Sequence, residues 1–221
     1  PGDEVITSPF SFVSAAEVIN NIGAKPVFVD VNYDTFNIDH KLIEKKITSR
    51  TKAIIPVNLF GQCANYDEIN YISRKYDLRI IEDAAQSFGA KYKNKMSCSL
   101  GDISCTSFFP SKPLGCYGDG GACFTNSHKL NEKLKTIRSH GSLKKYNYIC
   151  KGINARLDTI QAAILLAKLK NFKKEIKIRN SIANYYSENL SNECLKPIIE
   201  KNNYSVYAQY TIKIKKRNII K

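Results

Sequence analysis

A chain of 221 residues with a hydrophobic fraction of 43% can bury a sizeable core and reads as one or two globular domains. Its 34 Lys and Arg against 20 Asp and Glu leave a formal charge of +14, but the lysines are scattered over helix positions such as Lys41, Lys45, Lys129 and Lys133, which is a solvated basic surface and not a nucleic-acid footprint. No uncharged apolar run reaches the about 18 residues a membrane helix needs, and seven cysteines without a C-x-x-C pair argue against a zinc site or a disulfide framework.

The chain opens on Pro1-Gly2-Asp3-Glu4, with neither the basic start nor the apolar stretch of a signal peptide. Together with cysteines set among apolar neighbours, this predicts a reducing, cytoplasmic setting.

Strand and helix signals then alternate. Glu4–Thr7 is predicted as a strand, and Ser11–Asn21 as a helix closed by Gly23. Pro26–Asp30 is a short apolar strand. Asp39 caps a helix running through Ile47. Lys52–Val57 is the next strand, Asn65–Tyr76 a helix, and Leu78–Ile81 a strand again. Ile103–Phe109 and Gly121–Thr125 follow as strands, and a helix opens at Asn126-Ser127 and runs to Arg138. Leu157–Phe172 is the strongest helix, with Leu157, Ile160, Ile164 and Leu165 on one side. A second helix is expected from Glu175 to Leu190, and a strand over Ser205–Ile212. Continuous apolar strands separated by helices indicate an α/β fold with a parallel sheet covered on both faces. A soft boundary falls near residue 175, giving units 1–175 and 176–221.

Two segments carry chemistry. Ile80-Ile81-Glu82-Asp83-Ala84-Ala85-Gln86 ends a strand with a carboxylate, where open α/β sheets bind ligands. Cys105–Gly115 contains Ser107 and Lys112 and leads into Gly118-Asp119-Gly120-Gly121. A lysine amine can form an imine with an aldehyde, and a carboxylate can keep a pyridine nitrogen protonated. Ser107 can hydrogen-bond a phosphate. Phe12, after Pro9-Phe10-Ser11, can stack on a planar ring. This constellation points to pyridoxal phosphate. The glycine run lacks the spacing of a dinucleotide fingerprint, and no Walker A pattern occurs.

The residues quoted, with the segments PGDEVI, GAKPVFVDV, TKAIIPV, FGQ, IEDAAQSFGA, SFFPSKPLG, GDGGA and the run from Asn154 to Leu165, resemble the DegT-type sugar aminotransferases. The resemblance covers nearly the whole chain. It implies an aspartate-aminotransferase-like, fold type I domain with three layers and a mostly parallel sheet, plus the start of a small C-terminal α/β domain. It further implies that Lys112 forms the imine with the cofactor, Asp83 pairs with the ring nitrogen, Gln86 meets the ring hydroxyl, Ser107 binds phosphate and Phe12 stacks on the ring. It implies as well that the site is shared across a homodimer, with Asn154 reaching the partner's phosphate and Arg156 facing the partner's substrate carboxylate. Some relatives carry His at the lysine position and are dehydratases; Lys112 argues against that branch.

Within the family, Ala84–Ala90, Cys105–Gly121 and Ser205–Thr211 resemble most the members that aminate a UDP-2-acetamido-2-deoxy-3-oxo-hexuronate for lipopolysaccharide O-antigen, with L-glutamate as donor. No metal, nucleic acid or membrane enters this reading. The alternatives are a 4-aminotransferase for a 4-keto-6-deoxy nucleotide sugar and a catalytically silent interaction module of the same fold. The resemblance also implies family segments before Pro1 and after Lys221, so the chain reads as an internal part of a longer protein.

Overall fold

A computed structural model describes residues 1–215. In chain order the elements are β1 (Glu4–Thr7), α1 (Ser14–Asn21), β2 (Lys25–Phe28), α2 (His40–Ile43, continued by a 3-10 turn over Glu44–Lys46), β3 (Thr51–Ile55), α3 (Tyr66–Lys75), β4 (Arg79–Asp83), β5 (Lys91–Tyr92), β6 (Lys95–Met96), β7 (Ile103–Ser107), β8 (Gly121–Phe124), α4 (His128–Arg138), β9 (Ser142–Lys144), β10 (Asn147–Tyr148), α5 (Thr159–Asn189) and β11 (Asn203–Tyr204). The main sheet has the order β2-β1-β3-β4-β7-β8. It is parallel from β2 to β7, and β8 closes it antiparallel to β7.

The expected α/β class follows from strands that are apolar on both sides. Ile6, Ile54 and Ile80 face one core, which they share with Tyr66, Ile69 and Ile72 of α3 and Leu165, Phe172 and Ile176 of α5. Val5, Ala53 and Ile55 face the other, against Ala15 and Ile19 of α1, with Ile81 packed alongside. Successive strand residues point to opposite faces, so β4 sends Ile80 and Glu82 one way and Ile81 and Asp83 the other. Helix ends carry their own stop signals. Asn65 caps α3 by accepting from the Glu68 N–H, and Arg74 and Lys75 sit in its last turn. Asp39 caps α2 and Ser127 caps α4 in the same way.

Four departures from the sequence reading stand out. First, α1 starts at Ser14, not Ser11, because the Ser8 hydroxyl takes the Phe10 N–H and holds a local turn there. Second, the two helices expected around residue 175 are one, α5. No Gly or Pro interrupts residues 159–189, and its buried stripe is Leu165, Phe172, Ile176 and Ala183, whereas Ile160 is exposed. Third, Ser205–Ile212 forms no strand; only Asn203–Tyr204 does, adding to the β5–β6 hairpin. Its backbone follows a loop and a helix: Val206 N–H donates to the Gly61 carbonyl, and Asn180 Nδ2 donates to the Ser205 carbonyl. Fourth, the small hairpins β5–β6 and β9–β10 were not anticipated. No helix among the described residues is long and apolar enough to cross a membrane.

Gly61 holds that C-terminal segment in place. Its φ is +104°, and a Cβ there would lie 2.8 Å from the backbone nitrogens of both Tyr207 and Ala208. Backbone strain and close approach act together. Gly61→Ala is expected to lower the unfolding free energy by about 1–3 kcal/mol, read as a fall in the denaturation midpoint. An unchanged midpoint would mean that residues 205–209 do not dock on this turn.

Candidate active site

The site is built from strand register. Asp83 is paired with Cys105 and Cys105 with Cys123 across β4, β7 and β8. Paired residues share a face, so Ser107, two residues beyond Cys105, lies on the Asp83 face and one step further out. Both stand at the carboxyl ends of parallel strands, where ligands bind in open sheets. The Asp83 backbone is locked from both sides: its N–H donates to the Pro56 carbonyl at 3.0 Å, and its carbonyl accepts from Asn58 N at 2.9 Å.

The Asp83 side chain accepts from the Ala85 N–H at 3.0 Å. Burial pushes its carboxyl above the usual range. The Ala85 N–H and then the Lys112 charge pull it back, and the Glu82 charge pushes it up. The Lys112 charge thus favours the ionised form of Asp83, less strongly than burial opposes it. Lys112 is half-buried and sits in a turn closed by its own N–H to the Phe109 carbonyl.

Two side chains of α5 hold the loop that follows. Lys168 Nζ donates to the Gly115 carbonyl at 2.5 Å, and Gln161 Oε1 accepts from Tyr117 N at 2.8 Å. The sequence reading gave neither residue a role. Gly115 has to be glycine because a Cβ would come within 2.5 Å of the Pro110 carbonyl oxygen.

Gln86 lies in the turn after Asp83. Its Oε1 accepts from Phe60 N at 2.8 Å, which leaves its NH₂ free to donate outward. Ser107 Oγ accepts from Phe109 N at 3.2 Å and keeps its own proton for another acceptor. Among the described residues, Asp83 Oδ2, Lys112 Nζ and Gln86 Nε2 have no protein partner, and no ion pair engages Lys112 or Asp83. A carboxylate, an amine and an amide of this kind could serve a ring nitrogen, a carbonyl and a ring hydroxyl respectively.

Phe12 is 73% exposed, in the turn between β1 and α1. Asn154 and Arg156 lie on the exposed segment before α5, with Arg156 Nε donating to Asn154 Oδ1 at 3.1 Å. No hydrogen bond or ion pair joins any of these three to Asp83, Lys112 or Ser107 among the described residues. A cavity of about 500 Å³, lined by Arg74, Asp77, Arg79 and Asp102 among others, lies at the opposite, amino ends of β4 and β7. In it Asp102 Oδ2 accepts from the Ile80 N–H and Asp77 pairs with Arg79.

Sequence reasoning also passed over Glu82. It is fully buried and accepts five hydrogen bonds. Its place beside Asp83 in an otherwise apolar strand was the available signal.

The family model described as the DegT/DnrJ/EryC1/StrS aminotransferase family matches residues 1–221. The chain is 55% identical to the UDP-2-acetamido-2-deoxy-3-oxo-D-glucuronate aminotransferase of Pseudomonas aeruginosa over 221 residues, which is 100% of this chain and 62% of that protein. Among solved structures, a DegT DnrJ EryC1 StrS aminotransferase from Brucella abortus superposes with a TM-score of 0.94 at 43% identity, covering 100% of this chain and 61% of that one. NtdA from Bacillus subtilis, with bound cofactor PMP, superposes with a TM-score of 0.90 at 32% identity, covering 100% of this chain and 51% of that one.

Proposed function

The chain belongs to the DegT/DnrJ/EryC1/StrS aminotransferase family, and from that premise we propose that the intact protein transfers an amino group from L-glutamate to a keto nucleotide sugar, with pyridoxal phosphate as cofactor. The substrate in this reading is UDP-2-acetamido-2-deoxy-3-oxo-glucuronate, and the product serves lipopolysaccharide O-antigen assembly in the cytoplasm. The observation that carries it is a partly buried Asp83 at the carboxyl end of β4, with one carboxylate oxygen unpartnered among the described residues and Ser107 on the same face of the sheet. The 55% identity to a protein of that named activity supports the substrate.

When bound, the cofactor supplies an aldehyde for an amine and a ring that takes up an electron pair. The chain's residues do the rest. Asp83 holds the ring nitrogen in its protonated form, since a carboxylate beside it favours the charged state. Gln86 Nε2 donates to the ring hydroxyl, the Ser107 hydroxyl donates to phosphate, and Phe12 covers the ring face. Lys112 would hold the cofactor through its Nζ and, with that amine free, would serve as the base for the donor's α-carbon proton and as the acid that delivers it two atoms along, to the carbon that the aldehyde contributed. Asn154 and Arg156 face outward and serve the partner subunit of a homodimer, Asn154 at its phosphate and Arg156 at its substrate. The division near residue 175 into a cofactor-binding unit and a small unit is part of the proposal, with α5 common to both.

An arginine fork matches both oxygens of a carboxylate. In the intact protein Arg156→Ala is expected to lower kcat/KM for the keto-uronate by roughly a hundredfold, the size of a lost charge-assisted contact, while turnover of a 4-keto-6-deoxy sugar stays unchanged. A coupled glutamate-dependent assay over a panel of UDP- and dTDP-keto sugars tests both. Full uronate turnover by the variant would remove the uronate assignment, and preference for the 4-keto sugar would install that alternative.

A further inference from the structure

The buried carboxylate beneath Asp83 has no place in the chemistry just described. Glu82 precedes Asp83 on β4 and points to the opposite face of the sheet, into the core formed with α3 and α5. Its Oε1 accepts from Asn58 Nδ2, Ser97 Oγ and Cys98 N, each at 2.9 Å. Its Oε2 accepts from Leu100 N at 2.9 Å and Ser104 Oγ at 2.6 Å. All five partners are neutral donors, and among the described residues no cation pairs with Glu82. A charge taken out of water is costly and is kept only where every lone pair is used.

The donors come from the segments that frame the site. Asn58 bonds Glu82 with its side chain and the Asp83 carbonyl with its backbone, closing a ring around that peptide. Asn58 Nδ2 also reaches Ser87 Oγ at 3.2 Å, and Ser87 Oγ shares a hydrogen with Ser97 Oγ at 2.6 Å. Ser87 follows Gln86, and its N–H closes the turn onto the Ala84 carbonyl. Two residues after Asn58, Phe60 N donates to Gln86 Oε1. Phe60 has a φ of +58°, a conformation that a bulky residue keeps only when its surroundings impose it. Ser104 stands on β7, one residue before the partner of Asp83.

Resting on the functional reading above, we propose that Glu82 is a positioning residue for the cofactor site: through Asn58, Ser87 and Ser104 it fixes the relative placement of Asp83 and Gln86, the two side chains that grip opposite parts of the ring. It touches neither cofactor nor substrate. The Glu82 charge also contributes to the raised carboxyl of Asp83, although less than burial does.

The test is Glu82→Gln in the intact protein. The shape is conserved, but each carboxylate oxygen meets a backbone N–H that cannot turn, so either amide orientation sets an NH₂ against a donor. Three quantities are measured: hydrogen exchange in the cofactor-free protein, cofactor affinity from the long-wavelength absorbance of the lysine imine, and kcat and KM. Exchange of the Ala85 and Phe60 amides, which bond Asp83 and Gln86, is expected to rise at least roughly tenfold while the β1 amides are unchanged. Cofactor affinity should fall by at least roughly tenfold, and kcat by up to roughly a hundredfold, as for a displaced catalytic group, with KM for the sugar little changed. Unchanged exchange at the two amides, or an equal rise throughout the sheet, overturns the proposal. If the wild-type protein forms no imine, the functional reading fails, and the exchange data alone decide whether Glu82 positions Asp83 and Gln86. Should Glu82→Gln not fold, the same measurements on Ser104→Ala, which removes one donor only, decide the matter in the same sense.

Discussion

Lys112→Ala is expected to lower kcat of the intact enzyme by at least roughly 10⁴-fold and to abolish the long-wavelength absorbance that the wild type acquires with pyridoxal phosphate. Two functions sit on one nitrogen: covalent attachment of the cofactor and transfer of the α-proton. Proton transfer by a placed side chain alone contributes roughly 10²–10⁴-fold, and residues acting as a unit lose nearly everything when one is removed. Folding should survive. Lys112 is half-buried and, among the described residues, makes no ion pair and contributes only a backbone bond, from its N–H to the Phe109 carbonyl. The loop is held by Cys116 N to the Phe108 carbonyl and by Gln161 and Lys168, none of which the substitution removes. A variant that keeps both turnover and the absorbance band would show that the reactive amine lies elsewhere, and the silent-module alternative would gain from a wild type that never acquires the band.

Asp83→Asn is expected to lower kcat by roughly 10³-fold, equivalent to about 4 kcal/mol of transition-state stabilisation, because a neutral amide no longer holds a proton on the ring nitrogen. The same change should leave the cofactor-free protein as stable as the wild type at neutral pH, or more so. The sign follows from burial, which raises the Asp83 carboxyl above its ordinary value. A folded-state value above the unfolded value of about 3.9 means that the group's contribution to stability is complete below the unfolded value and is lost as pH climbs through the folded one. Asparagine carries no charge to desolvate and removes that loss. Stability curves of the two cofactor-free proteins should therefore converge in acid and separate towards neutrality. A destabilised, fully active Asp83→Asn protein would contradict both halves of this account and would make Asp83 a structural cap on the Ala85 turn.

The candidate site was half legible in the residues. Asp83 and Lys112 belong to local patterns: a carboxylate ending an apolar run, and a lysine between an apolar strand and glycines. Reading them as a pair needs only the rule that strand ends carry ligands. Asn154 and Arg156 came from resemblance alone, Phe12 also from its place after Pro9-Phe10-Ser11, and among the described residues none of the three makes a hydrogen bond or ion pair to Asp83 or Lys112. Glu82 looked like an unremarked neighbour of Asp83. Its importance lies in partners that no local pattern displays, such as Asn58, 24 residues away, and Ser104, 22 residues away. The α5 clamp on the lysine loop spans 44 and 53 residues of sequence.

What the sequence determined by itself was the order and type of the main strands and helices, since apolar periodicity, caps and glycine stops are written among neighbouring residues. Only the tertiary structure decided that α5 runs unbroken through residue 175 and that Ser205–Ile212 leaves the strand path. A short stretch of polar lysines permits either a break or a continuous helix, and burial of Phe172 and Ile176 against the sheet selects the latter. Residues 205–212 have the alternation of a strand but pair with no strand among the described residues. Gly61, Asn180 and the core around Val206 take their backbone and side chains instead, because packing distributes hydrogen-bond partners across the whole molecule while periodicity reports only which side of a segment is dry.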